Sequence, residues 1–223
     1  LPEKGTTGKC LVMVTDDAER TMITHLGASE LISENEIDKD ALLESQWLYL
    51  EGYLLTDDAR AALVKDVATK AKKSGVKVAL SLSDPFVAQS YAENLRNVID
   101  DGIDFIFCNK DESLAFTNTT SISDASEALN HITKKFAITN GAAGATIFDG
   151  HTIFNAPGVP INPVDTNGAG DMFAGAFLYA LSLDHDFKWA AKFANECAAK
   201  VVSSFGPRLD IGDFSFIKKQ FRI

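Results

Sequence analysis

The chain has 223 residues, 46% of them apolar, which suits one sizeable α/β domain and excludes a disordered or fibrous protein. A formal charge of −10 disfavours sequence-independent binding to nucleic acid, which needs clustered Lys and Arg. The longest nearly apolar stretch, Met172 to Leu183, is too short to span a bilayer, and no basic-then-apolar segment opens the chain, so a cytoplasmic protein without membrane contact is expected.

Lys9 to Thr15 (KCLVMVT) and Arg20 to His25 (RTMITH) are β-rich runs around the polar turn DDAE, predicting a hairpin that need not join the main sheet. Ser33 followed by Glu36 is a capping-box pattern that predicts a helix through about Glu44, after which Trp47 to Leu50 reads as a short buried strand. Thr56-Asp57-Asp58 caps a long helix ending at Ser74-Gly75, with Ala62, Leu63, Val67 and Ala71 on one face, and Val76 to Leu82 is the next strand. The alternation continues through helical Pro85 to Asp101, strand Phe105 to Cys108, helical segments to Ile132 and strand Phe136 to Thr139. Nearly continuous apolar strands separated by helices predict a parallel sheet covered on both faces. Ala145 to Phe148 and Thr152 to Phe154 flank Asp149-Gly150 and predict an antiparallel hairpin. Two helices, Gly168 to Leu183 and Phe187 to Phe205, are predicted to close the chain.

Cys10, Cys108 and Cys197 are odd in number and far apart, which points to reduced thiols rather than disulfides or a zinc site. The four histidines have no second ligand at helical or hairpin spacing.

The most informative stretch is PVDTNGAGDMFAGAF, residues 163 to 177, where a loop of small residues enters a helix. Glycine lets the backbone turn tightly and approach a ligand without a Cβ in the way. The amides of Gly168, Ala169, Gly170 and Asp171 would point outward at the positive end of the helix dipole, a site for a phosphate group. Asp171, in that first turn, would accept a proton from a hydroxyl attacking a γ-phosphate. No G-x-x-x-x-G-K-[ST] is present, which removes the P-loop reading. Gly168-x-Gly170 begins like a dinucleotide fingerprint, but the third glycine position falls on Phe173. The plain alternative is that Asp165 and Thr166 cap a helix and the glycines let it pack.

DTNGAGD (Asp165 to Asp171) resembles the second signature of the ribokinase/PfkB family of carbohydrate and nucleoside kinases. The resemblance implies a ribokinase-like three-layer α/β/α fold with a mostly parallel central sheet and remnants of a β lid. It implies Asp171 as catalytic base and Gly168, Ala169 and Gly170 as anion hole. Asn109-Lys-Asp-Glu112 resembles the family's N-x-x-E, whose Asn and Glu organise triphosphate and hydrated Mg²⁺, although a solvated helix start is the plain reading of the four residues alone. Thr139-Asn-Gly141-Ala-Ala-Gly144 is similar to the strand-turn-strand that lies along the nucleotide, and Asn195 to a residue placed beside adenine, with Ser203-Ser-Phe-Gly206-Pro completing the wall. Asp165 is the side-chain candidate for a K⁺ site, with helix capping as the other reading.

Gly5-Thr-Thr-Gly8, Glu19-Arg-Thr-Met22, Leu26-Gly-Ala-Ser29 and Leu50-Glu-Gly-Tyr53 resemble the adenosine-kinase-like branch. Glu51 and Asp84 would then face the acceptor from strand ends, where ligands of open α/β sheets sit, or else be surface turn residues. The expected division is a hairpin and helix over residues 1–45 adjoining the lid and sheet edge, then an ATP-binding and catalytic core over 46–223. The family's first region, with its G-G-x-x-x-N segment, an acidic substrate-binding residue and any basic residue it brings to the phosphates, has no counterpart in these residues. The expectation is a shortened chain or a companion polypeptide that completes the fold. What the resemblance implies is ATP- and Mg²⁺-dependent phosphorylation of a nucleoside, adenosine-like by branch, with a sugar second and a non-catalytic nucleotide-binding subunit as the alternative of another class. Lid strands that pair between subunits would make a homodimer.

Overall fold

The computed structural model describes residues 5–18 and 20–223; Glu19 of the Glu19–Met22 match lies outside the described residues. In chain order the elements are β1 (Lys9–Val14), β2 (Arg20–His25), α1 (Lys39–Glu44), β3 (Trp47–Glu51), α2 (Asp58–Lys73), β4 (Lys77–Ser81), α3 (Pro85–Ser90), α4 (Ala92–Ile99) and β5 (Phe105–Asn109). There follow α5 (Lys110–Thr117), α6 (Ile122–Asn130), β6 (Phe136–Thr139), β7 (Ala145–Phe148), β8 (Ile153–Ala156), α7 (Ala169–Ser182), α8 (Phe187–Val202) and α9 (Ile211–Phe221). Strands β3 to β8 form a six-stranded sheet in sequence order, with β3, β4 and β5 parallel. The mostly parallel sheet with helices in its crossovers is the predicted α/β architecture.

The chain divides into two compact units, the first holding the chain up to Gly8, Leu26–Ile138 and Phe148–Ile153, the second Lys9–His25, Thr139–Ile147 and Phe154–Ile223. In the first, alternate residues of β4 and β5 and the inner faces of α2 and α4 bury Val78, Leu80, Ile106, Val64, Ala68, Leu95 and Ile99 in one core. Each of the Val, Leu and Ile side chains among them contributes about 1.5–3 kcal/mol of transfer free energy. Asp57 caps α2 by accepting from the Arg60 amide at 3.0 Å. At its far end Lys72 pairs with Asp104 at 3.1 Å, and Asp104 also accepts the Val78 amide, tying helix to sheet. The matched segments Gly5–Gly8 and Leu26–Ser29 meet here, the Ala28 amide donating to the Thr6 carbonyl at 2.8 Å.

In the second unit α7 and α8 lie together through small residues, Ala176 and Ala180 on one and Ala190, Ala191 and Ala194 on the other, which lets the backbones approach. Strands β1 and β2 pair antiparallel as a separate two-stranded sheet, as expected. Leu11 and Ile23, facing each other across the ladder, are each 60% exposed.

Three details differ from expectation. The Ser33–Glu36 capping box forms, but on a 3₁₀ turn over Glu34–Glu36, because Asp38 opens α1 with its own cap on the Ala41 amide. The helical stretch after Pro85 breaks into α3 and α4 at Tyr91. A third helix, α9, follows the two that were expected to close the chain.

Candidate active site

The second unit contains the signature loop. The Val164 and Asp165 amides donate to the Val202 carbonyl at 2.8 and 3.3 Å, lashing the loop to the end of α8. Asp165, 4% exposed, accepts the Asn167 amide on Oδ1 at 2.9 Å and the Gly206 amide on Oδ2 at 3.0 Å. It therefore braces the loop, and the residue that caps α7 is Gly168, in the left-handed region at φ 78°. A Cβ there would stand 2.3 Å from the Pro207 carbonyl oxygen, so only glycine fits both the dihedral and the space.

A glycine N-cap has no side chain to satisfy the amides of the first turn. Among the described residues the Gly170 and Asp171 amides have no hydrogen-bond acceptor, and a Cβ at Gly170 would meet nothing within 4 Å. The Asp171 side chain is exposed in the same turn. Sequence reasoning did not single out Arg20 at this loop: its Nη1 donates to Thr166 Oγ1 at 2.9 Å, and Thr166 in turn donates to the Ala18 carbonyl at 3.0 Å. A guanidinium thus stands at the signature loop.

Residues 139–144 form the expected strand-turn-strand, a 3₁₀ turn over Gly141–Ala143 closed by the Asn140 amide on the Gly144 carbonyl at 2.7 Å. Gly144 lies so close to the next segment that a Cβ would stand 2.1 Å from the Ala156 carbonyl oxygen. Asn195, buried on α8, donates to the Ala156 and Pro157 carbonyls at 3.3 and 2.9 Å. The structure therefore brings Gly144, the 156–158 strand exit and Asn195 together, with Asn195 holding backbone.

The first unit contains the remaining candidates. Asn109 caps α5: its Oδ1 accepts the Glu112 amide at 2.8 Å, while Glu112 accepts the Asn109 amide and side-chain amide at 2.9 and 2.6 Å. This is a complete capping box with Glu112 only 7% exposed, so the solvated helix start does not describe it. Glu51 and Asp84 sit at the carboxyl ends of the adjacent strands β3 and β4, where Glu51 pairs in register with Ser81. Asp84 also caps α3 by accepting the Phe86 amide at 2.7 Å. Ser83, which the sequence did not single out, ties the two ends: its Oγ accepts the Gly52 amide at 2.8 Å and its carbonyl accepts from the Tyr53 hydroxyl at 3.2 Å.

Burial, and secondarily the Glu112 carboxylate, pushes the Cys108 thiol well above its ordinary range. Burial, then Glu196, pushes Cys197 up to about 12. Both are protonated, inert thiols at neutral pH. Among the described residues no three His, Cys, Asp or Glu side chains cluster as metal ligands, and no helix is long and apolar enough to cross a membrane.

Residues 2–212 match the pfkB family carbohydrate kinase description. An adenosine kinase of Saccharomyces cerevisiae is 27% identical over 227 residues, covering 95% of this chain and 66% of that protein. A probable sugar kinase from Rhizobium etli superposes with a TM-score of 0.92 at 28% identity, over 97% of this chain and 66% of the other. An adenosine kinase from Sinorhizobium meliloti superposes at 0.91 and 28%, over 96% and 66%. This chain thus spans about two thirds of the length of the relatives it matches. With the signature loop, the strand-turn-strand and the capped N-x-x-E helix all in their expected order, the chain belongs to the pfkB family of carbohydrate kinases.

Proposed function

We propose that the chain carries the nucleotide-binding and catalytic machinery of an ATP-dependent kinase that phosphorylates a hydroxyl of a nucleoside. The observation that carries this reading is the start of α7, where the Gly170 and Asp171 amides are open and an exposed carboxylate stands in the same turn. Two backbone N–H groups at the positive end of a helix stabilise the charge of a phosphoryl group. Asp171 receives the proton of the attacking hydroxyl. Arg20, reaching the loop from β2, adds a cation for the phosphate oxygens, and its hydrogen bond to Thr166 sets its position. The 139–144 turn lies along the nucleotide, with Asn195 fixing the backbone beside Gly144. Mg²⁺, when bound with ATP, neutralises phosphate charge, and Glu112, oriented by Asn109, would hold it through water.

For the acceptor, Glu51 and Asp84 at neighbouring strand ends offer carboxylates to hydroxyls of a sugar ring. Adenosine is favoured by the likeness to the yeast and S. meliloti adenosine kinases; a free sugar is the second reading, favoured by the likeness to the R. etli protein. The test is transfer from ATP to adenosine, ribose and fructose, by the protein and its Asp171→Asn variant. Adenosine is expected to be the best acceptor, and the variant to lose about 10³-fold in kcat while binding ADP with calorimetric affinity unchanged. Undiminished turnover in the variant would refute the base; ribose or fructose outperforming adenosine would move the acceptor to the sugar class.

A further inference from the structure

The chain contains two Asn-Gly pairs, Asn140-Gly141 and Asn167-Gly168, and both lie in the second unit within segments assigned above to the candidate site. An asparagine followed by glycine is open to attack by its own backbone. The nitrogen of the following residue can close a five-membered ring on the carboxamide carbon, and glycine has no Cβ to block the approach and lets the peptide swing. Ring closure in the folded protein requires that this peptide be able to turn, and there the two pairs differ.

At Asn167 the peptide is wedged. Gly168 is buried at φ 78°, its backbone so close to Pro207 that a Cβ would stand 2.3 Å from the carbonyl oxygen. Asp165 accepts the Asn167 amide at 2.9 Å and the Gly206 amide at 3.0 Å, clamping the turn further. At Asn140 the peptide faces solvent. Gly141 is exposed at φ 49°, and an added Cβ would meet nothing within 4 Å. Among the described residues the Asn140 carboxamide has no hydrogen-bond partner and the Gly141 amide no acceptor, so electrophile and nucleophile are both uncommitted. The Asn140 amide is held by the Gly144 carbonyl, but rotation about its ψ, here 50°, is opposed directly by one hydrogen bond, from the Ala143 amide to the Asn140 carbonyl at 3.0 Å.

We propose that Asn140 is a self-modification site, through which the protein loses nucleotide affinity as it ages. The deprotonated Gly141 nitrogen attacks Asn140 Cγ, and the carboxamide nitrogen leaves as ammonia, taking up the proton that Gly141 gave up. Water then opens the succinimide at either carbonyl. The product at position 140 is aspartate, or isoaspartate with one extra methylene in the main chain. Either adds a negative charge to the turn that lies along the nucleotide in the function proposed above, and it repels the phosphates. The effect on binding rests on that reading, whereas the modification does not.

The test incubates the protein in warm, mildly alkaline buffer, both native and in urea, followed by peptide mass mapping and an isoaspartate methyltransferase assay. In urea both Asn-Gly peptides are expected to gain about 1 Da. In the native protein the 140–141 peptide gains it, the 167–168 peptide does not, and Asn140→Gln abolishes the gain. Freshly made Asn140→Asp is expected to bind ADP about fivefold more weakly than fresh protein. A native 140–141 peptide that keeps its mass, or a native 167–168 peptide that reacts as fast, would overturn the modification site and leave the nucleotide reading untouched. Mass gain at Asn140 with undiminished ADP binding by Asn140→Asp would instead overturn the loss of affinity, and with it the placing of the 139–144 turn along the nucleotide.

Discussion

Two helices of this protein, α5 and α7, open on residues of the candidate site, and they begin in opposite ways. At the start of α5 the cap groups engage each other: Asn109 and Glu112 exchange three hydrogen bonds, and the carboxylate is almost wholly buried. At the start of α7 the cap is a glycine with no side chain to offer, and the amides of Gly170 and Asp171 are left open. Both ends carry the same partial positive charge from the helix backbone. In α5 it goes to local stability and to fixing one carboxylate; in α7 the loop is braced elsewhere, by Asp165 and the Val202 carbonyl, and the Gly170 and Asp171 amides stay open.

The contrast breaks most visibly at two glycines in one loop. Gly168→Ala forces a left-handed dihedral on alanine and drives its methyl into the Pro207 carbonyl, and it should cost about 3 kcal/mol or more of unfolding free energy. Gly170→Ala has open space and a helical position, so it should leave stability equal or raise it by up to about 1 kcal/mol. If phosphate docks on these amides, a methyl added in that open space should lower ADP affinity about tenfold. Urea denaturation and calorimetry separate the two effects. If the Gly170 variant bound ADP normally, the open turn would not be the phosphate site.

A smaller effect sharpens the same comparison at α5. Asn109→Ala removes both the acceptor for the Glu112 amide and a donor to its carboxylate, and it should cost about 1–2 kcal/mol. Asp171→Ala, exposed and bonded to nothing that braces the fold, should change stability by no more than about 0.5 kcal/mol. Denaturation midpoints that shifted equally for the two variants would mean that both helix starts serve structure.

How much of this was readable beforehand follows the range of the interactions. The α7 entry is written in consecutive residues, small ones before an acidic first turn, and so is the Asn109–Glu112 spacing; both were visible as local patterns. Their division of labour was not, because it depends on which donors find partners. Arg20 and Thr166 are 146 positions apart, and no local pattern marks a contact of that range. The Ser33–Glu36 box was legible as a box, but its consequence was altered by Asp38, a second cap close enough to restart the helix. Helix α9 was legible but not read: Ile211, Phe214, Ile217 and Phe221 recur every three or four residues behind Asp210, and Phe214 and Phe221 pack against Phe193 of α8.

The smallest test concerns the thiol just before the closed box. Cys108 is buried, and its pKa is raised first by that burial and then by Glu112. An acid raised in this way keeps its proton longer in the folded than in the unfolded chain. The stability it lends is whole below the ordinary thiol value of 9.0 and drains away as pH climbs from there towards the folded value. Between pH 8 and pH 10 the protein should therefore lose about 1 kcal/mol more than its Cys108→Ala variant does, read from urea midpoints at the two pH values. The exposed Cys10 should be alkylated by iodoacetamide at pH 8 in the native state while Cys108 is spared. Parallel pH slopes, or early alkylation of Cys108, would show that the α5 start opens to solvent as readily as the α7 start, and the distinction between a sealed and a vacant helix end would fail at its sealed side.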